Sequence, residues 1–215
     1  MKECSLDEIK ELPSFVRLGC LFGVQKWIDS GKSIRTALKT RINPLRFSVE
    51  TGFQSMVEIF LHCHLLQNEL DEMLWEAVQT HREDLVRMIL ERGGSVRSMP
   101  FVDVLNEWHP GIVKLFLKHR ADFKSNAPFA EAFARRRRTV LGVFKSLLET
   151  DPTIIDQANQ ALIYHVIKGN EKWVLLMLWL GADSRAPTID MEYPHYLRTR
   201  PPRSVRLSVM GASKS

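Results

Sequence analysis

Residues 43–65 read NPLRFSVETGFQSMVEIFLHCHL, and the fold turns on how this stretch is divided. Pro44 follows an asparagine, the usual grammar of a helix start, and Gly52 interrupts the apolar run nine residues after Asn43. Beyond the glycine, Val57, Phe60 and Leu61 stand at i, i+3 and i+4, one face of a short amphipathic helix. The stretch therefore predicts two short antiparallel helices joined by a tight turn. The histidines and cysteine at 62–64 then close the second helix. Successive residues on a helix diverge by about 100°, so His62, Cys63 and His64 cannot converge on one metal ion. In register His64 falls where Gly31, Gly93 and Gly181 fall, which predicts a left-handed residue ending the helix.

The same apolar pattern recurs as VQKWI from Val24, VEIFL from Val57, VRMIL from Val86, VKLFL from Val113, FKSLL from Phe144 and VLLML from Val174, at intervals of 33, 29, 27, 31 and 30 residues. A second short apolar segment precedes each one, clearest in EMLWEAVQTH from Glu72 and QALIYHVIKG from Gln160. Helix pairs recurring at this period stack into a solenoid, because no single pair can bury its own apolar face. The chain resembles the ankyrin-repeat family here: PLRFSVETGFQSMVEIFL follows the family's order of Pro-Leu, small pair, Gly and Val-x-x-Leu-Leu, while LWLGAD and KHRAD echo its Gly-Ala-Asp ending. The resemblance implies an all-α, ankyrin-like helix-pair solenoid of about six degenerate repeats. The array would fill residues 1–184, with units near 12–35, 43–66, 72–97, 100–123, 127–153 and 159–184. Residues 185–215 would form a Pro/Arg-rich, largely irregular tail. Most units are shorter than the ~33 residues usual for the family, and a different helix-pair solenoid is the alternative architecture.

Composition agrees with a globular chain: 45% apolar, 26% charged, and no run of ~18 apolar residues that would span a bilayer. An intracellular, cytoplasmic protein without membrane insertion is expected, with a nuclear location the alternative if the source is eukaryotic. Three cysteines without Cys-x-x-Cys spacing suggest neither a disulfide framework nor a four-thiolate zinc site. The net charge of +5 is concentrated. Arg135, Arg136, Arg137 and Arg138 form one run, and six cations against Asp190 and Glu192 make the segment after Asp183 strongly basic. The unit holding the arginine run is three residues longer than the one beginning at Leu45, with the extra residues at the run. The arginines could bind an anionic partner or simply favour a helix C-terminus.

In the family, exposed positions of the first helices line a concave binding face. Aligned by position, one column reads Phe47, Glu76, Asp103, Glu131 and Tyr164, and its neighbour includes Glu50, Gln79 and Asn106. An acidic centre flanked by aromatics suits a protein or peptide with basic groups and argues against a phosphate backbone in the groove. Trp179 occupies a position that is polar in every other unit and should be exposed; the aromatic stretch Tyr193–Tyr196 is the nearest candidate to cover it. SLDE at residues 5–8 predicts a helix-capping box, with Pro13 interrupting the helix soon after. No Gly-rich phosphate loop, His-Glu-x-x-His or Gly-x-Ser-x-Gly occurs. The expectation is a non-catalytic, monomeric interaction scaffold or adaptor with no cofactor and no metal. The alternative is a binder of nucleic acid or another anionic surface through Arg135–Arg138 and the tail.

Overall fold

The computed structural model describes residues 6–34 and 43–185, with the backbone alone for residues 6–11. Among these residues the structure is all-helical, without a β-strand. Twelve α-helices run in order: α1 (Leu6–Arg17), α2 (Leu21–Asp29), α3 (Pro44–Glu50), α4 (Gln54–Leu61), α5 (Gln67–Gln79), α6 (Glu83–Glu91), α7 (Phe101–Glu107), α8 (Pro110–Lys118), α9 (Pro128–Ala134), α10 (Leu141–Thr150), α11 (Ile155–Ile167) and α12 (Glu171–Trp179). They form two compact units. The first comprises Met1–Pro100 and His109–Ala121, the second Phe101–Trp108 and Asp122–Ser215.

Local chemistry starts the helices where the sequence places them. Asn43 caps α3, its Oδ1 accepting from the N–H groups of Leu45 (2.9 Å) and Arg46 (3.3 Å), with Pro44 behind it. Glu69 Oε2 accepts from the Leu66 N–H at 2.6 Å, half of a capping box at the start of α5. His109 Nδ1 accepts from the Ile112 N–H at 3.4 Å at the start of α8.

The ends are more informative. Gly31, Gly93 and Gly181 have φ of +72°, +102° and +95°, as the second-helix pattern predicts. A second series, not seen in the sequence, ends the first helices: Gly19, Gly52, His81, Trp108, Arg136 and Gly169 all have positive φ. At His81, Arg136 and Gly169 the exit is a Schellman turn. The N–H groups of His81 and Arg82 donate to the Val78 and Ala77 carbonyls, those of Arg136 and Arg137 to Phe133 and Ala132, and those of Gly169 and Asn170 to Val166 and His165.

His64 departs from expectation. It is not among the left-handed residues. The Leu65 N–H instead donates to the Cys63 carbonyl at 2.9 Å, a three-residue turn about His64 of the negative-φ kind, so α4 closes without a left-handed residue. Pro13 also corrects the reading, since α1 continues through it. Leu12, Pro13 and Val16 are buried around this point, and that packing offsets the missing N–H. The expected capping box at residues 5–8 and the Tyr193–Tyr196 cover for Trp179 lie outside the described side chains.

Within the first unit the first helices meet in series, α1 on α3 and α3 on α5, and so do the second helices, α2 on α4, α4 on α6 and α6 on α8. Met56, Val57, Phe60, Met73, Leu74, Leu85, Val86, Ile89, Val113 and Phe116 are completely buried in it. Within the second unit α7 packs on α9, and α9 and α12 pack on α11. Its centre is aromatic: Phe144 meets Phe129 and Phe133 edge-to-face at 5.2 and 5.1 Å between centroids. Gln157 ties this core together, its Oε1 accepting from the Phe129 N–H (2.9 Å) and its Nε2 donating to the Phe123 carbonyl (2.8 Å). The apolar pattern weakens toward the end of the chain. Leu147 and Leu148 are half-buried and Leu178 is exposed, whereas the corresponding Phe60, Leu61, Ile89 and Leu90 are buried.

Candidate functional site

Two of the three acidic residues of the column, Glu76 and Glu131, are held in ion pairs. Arg46 Nε lies 2.9 Å from both Glu50 Oε1 and Glu76 Oε2. Glu76 is buried rather than exposed, and burial raises its carboxyl above the ordinary value despite the pull of Arg46. It therefore serves Arg46 and is not a free acceptor for a partner. In the second unit Arg135 does the same work, pairing with Glu131 four residues before it and facing Asp103. Burial raises Asp103, Arg135 opposes the shift, and Glu107 adds to it. Phe47 is half-buried, with the Arg17 guanidinium 5.5 Å from its ring centroid. Tyr164 is half-buried with Lys168 Nζ at 5.9 Å. Gln79 is exposed, and Asn106 is half-buried with its Oδ1 unpaired.

The arginine run divides in two. Arg135 is held by Glu131, and Arg136 ends α9 in the left-handed region while its Nη2 donates to Asn170 Oδ1 at 3.0 Å. Arg137 and Arg138 are exposed and make no ion pair among the described residues. The three extra residues form a 3-10 turn, Arg138–Val140, in front of α10. Behind the run, His165 is fully buried, stacked on Trp173 at 5.2 Å, its Nε2 donating to the Phe133 carbonyl (2.9 Å) and its Nδ1 accepting from Asn170 (3.3 Å). Burial lowers its pKa, so it is held neutral.

A residue pair that the sequence reading passed over sits one place before the column. Arg46 precedes Phe47, and Trp75, 38% exposed, precedes Glu76. A cleft of about 460 Å³ runs past Arg46, Asn68, Asp71, Glu72, Trp75 and Met99, entirely within the first unit. Its carboxylates are positioned from outside α5: Asp71 Oδ1 accepts from the Ser95 N–H at 3.0 Å, and Glu72 Oε2 from Asn43 Nδ2 at 3.1 Å. Arg46 and Arg135 had a sequence signal, because Arg46–Glu50 and Glu131–Arg135 are i, i+4 pairs on one helix face. Trp75 had none beyond its neighbour Glu76.

The His62 and Cys63 side chains each turn back onto a carbonyl of their own helix. His62 Nδ1 donates to the Glu58 carbonyl (2.7 Å) while its Nε2 accepts from Arg92 (3.0 Å), and Cys63 Sγ donates to the Ile59 carbonyl (3.6 Å). Burial pushes the Cys63 thiol up, away from thiolate chemistry. Another cleft, of about 650 Å³, holds His81, Glu83, Arg87 and His109. His109 there is a helix cap, and Glu83 is paired with Arg87 at 3.0 Å. Among the described residues no three His, Cys, Asp or Glu side chains are placed to share a metal ion, and no helix is long and apolar enough to cross a membrane. No protein-family model matches the chain, and no curated protein matches it.

Proposed function

We propose that the chain is a non-catalytic scaffold of stacked helix pairs, built like the ankyrin-repeat solenoids it resembles, that binds a protein or peptide along its first helices. The serial packing of first helix on first helix and second on second within the first unit supports the architecture. The observation that carries the binding role is the cleft in which Trp75 lies beside Asp71 and Glu72. A lysine or arginine of the partner would lay its stem along the indole and set its charge against these carboxylates, combining cation–π and ionic attraction. Glu76 and Arg46 set the end of the cleft and leave Glu72 and Asp71 to the partner.

Titration of the full chain with an arrayed set of lysine- and arginine-bearing peptides tests this. Trp75→Ala should weaken binding by about tenfold or more, as truncation of an aromatic anchor does. Unchanged affinity would remove the cleft from the interface. The anionic-surface reading is favoured by the exposed guanidinium groups of Arg137 and Arg138, which make no ion pair among the described residues. With only these two contributing, binding to duplex DNA would fall with salt with a log–log slope of about −2. A Kd for the peptides that is unchanged in Arg137→Ser/Arg138→Ser, with no DNA binding at physiological salt, separates the readings.

A further inference from the structure

The Trp75 cleft does not end at Asp71. A second cleft, of about 580 Å³, opens beyond that residue and shares Asp71 and Ser98 with the first. Both walls run in the same order. On α5, Gln67 lines the second cleft, Asp71 lines both and Trp75 lines the first; spaced four residues apart, they stand one above another on one helix face. Opposite them, residues 93–97 line the second cleft, Ser98 both and Met99 the first. The walls are tied together at the junction. Asp71 Oδ1 accepts from the Ser95 N–H (3.0 Å) and from Gln67 Nε2 (2.9 Å), and Gln67 Nε2 also donates to the Gly93 carbonyl (3.1 Å). The two clefts are therefore one groove along α5, formed before a partner arrives.

The groove changes sign along its length. Glu72 and Asp71 supply carboxylates near Trp75. At the far end stand Arg97, exposed, and His119, half-buried, and neither side chain makes a hydrogen bond or ion pair among the described residues. From Gln67 to Trp75 the helix rises ~12 Å. An extended chain covers that distance in about three or four residues, at ~3.3 Å each.

We propose that the groove takes an extended segment of the partner in which an acidic residue lies three or four positions from the basic residue at Trp75, with its carboxylate paired to Arg97 and hydrogen-bonded by His119. The proposal rests on the reading of the Trp75 cleft given above and adds a second, oppositely charged contact to it. Spacing is the discriminating property. An acid one or two positions from the base would lie against Asp71 and Glu72, a like-charge contact, and one about seven positions away would overshoot Arg97.

The test uses the full chain and labelled serine-rich peptides, each with one lysine and one glutamate separated by about one to seven positions, in both chain orders. Affinity read by fluorescence anisotropy should peak at a spacing of three or four, about tenfold tighter than with glutamine in place of the glutamate. Arg97→Gln should abolish that peak and change the affinity of the lysine-only peptide little, with helical circular dichroism as the folding control. Binding that needs the lysine and Trp75 but is indifferent to the glutamate and to Arg97→Gln overturns the proposal and leaves the Trp75 cleft standing, as does a peak at any other spacing. Binding indifferent to Trp75→Ala, or no binding by any peptide, removes the cleft and the proposal with it.

Discussion

Gly142 and Gly169 isolate the backbone from everything else. A Cβ built on either would meet nothing within 4 Å, so an alanine at both positions is sterically free of neighbours. Only the dihedral differs: Gly142 lies in the first turn of α10, while Gly169 ends α11 at φ of +66°. In the helix, Gly→Ala gains up to ~1 kcal/mol. At Gly169 the left-handed conformation costs an L-residue about 1–2 kcal/mol, less about 0.4–1 kcal/mol recovered from the stiffer unfolded chain. The net expectation is a loss of about 1 kcal/mol, so the two alanine variants should move in opposite directions. Urea unfolding followed by helical circular dichroism reads both against the parent. A Gly169→Ala protein as stable as the parent would refute the left-handed exit from the first helices, and with it the shared geometry of Gly19, Gly52, His81, Trp108, Arg136 and Gly169.

Three further outcomes follow from the interior. His165 has a folded pKa below its unfolded one, so its contribution to stability is fully present above the ordinary histidine value of ~6.5 and is lost as pH falls through that value toward the folded pKa. Stability should fall on acidification with a slope of up to ~1.4 kcal/mol per pH unit, and His165→Phe should flatten the profile; a parallel profile would place the proton elsewhere. Glu76 has the opposite sign, a folded pKa raised by burial, so its favourable term is present at low pH and lost as pH rises through the folded value. Glu76→Gln should therefore cost little at pH 7, whereas Arg46→Met, which removes the half-exposed partner of the buried carboxylate, should cost about 1–2 kcal/mol there and less at pH 4; denaturant midpoints at the two pH values check the order. Phe144→Ala removes the ring between Phe129 and Phe133 and should cost about 3–5 kcal/mol in the second unit, measured as the loss of unfolding midpoint.

Helix existence was legible because the i, i+3, i+4 faces and the Asn43-Pro44 start act locally, within one turn of chain. The first-helix exits were less so. Half of them are non-glycine, and nothing in the local composition of His81, Trp108 or Arg136 announces a left-handed backbone; the helix they end and the one that follows impose it. His64 fails for the converse reason, since its register suggested a left-handed residue but α4 ends at least one residue earlier than the other second helices do, and the chain leaves it on a Leu65-to-Cys63 hydrogen bond. At the candidate site the column positions were found but their electrostatics were not. Pairing of Arg46 with Glu76 crosses from α3 to α5, a contact that depends on the packing of two helices thirty residues apart. Trp75 is the same kind of case: that it lines the cleft beside Glu76 depends on how α5 is rotated against Arg46 and Met99.

The binding role of the Trp75 cleft is tested most directly by a charge-reversal cycle. Glu72→Lys is combined with peptides in which the recognised lysine or arginine is replaced by glutamate, and affinity is measured for all four pairings. Each single reversal should weaken binding by about tenfold, and the double reversal should recover most of that loss. Independent, additive effects of the two changes, or binding indifferent to Glu72→Lys, would contradict recognition of a basic partner at this site.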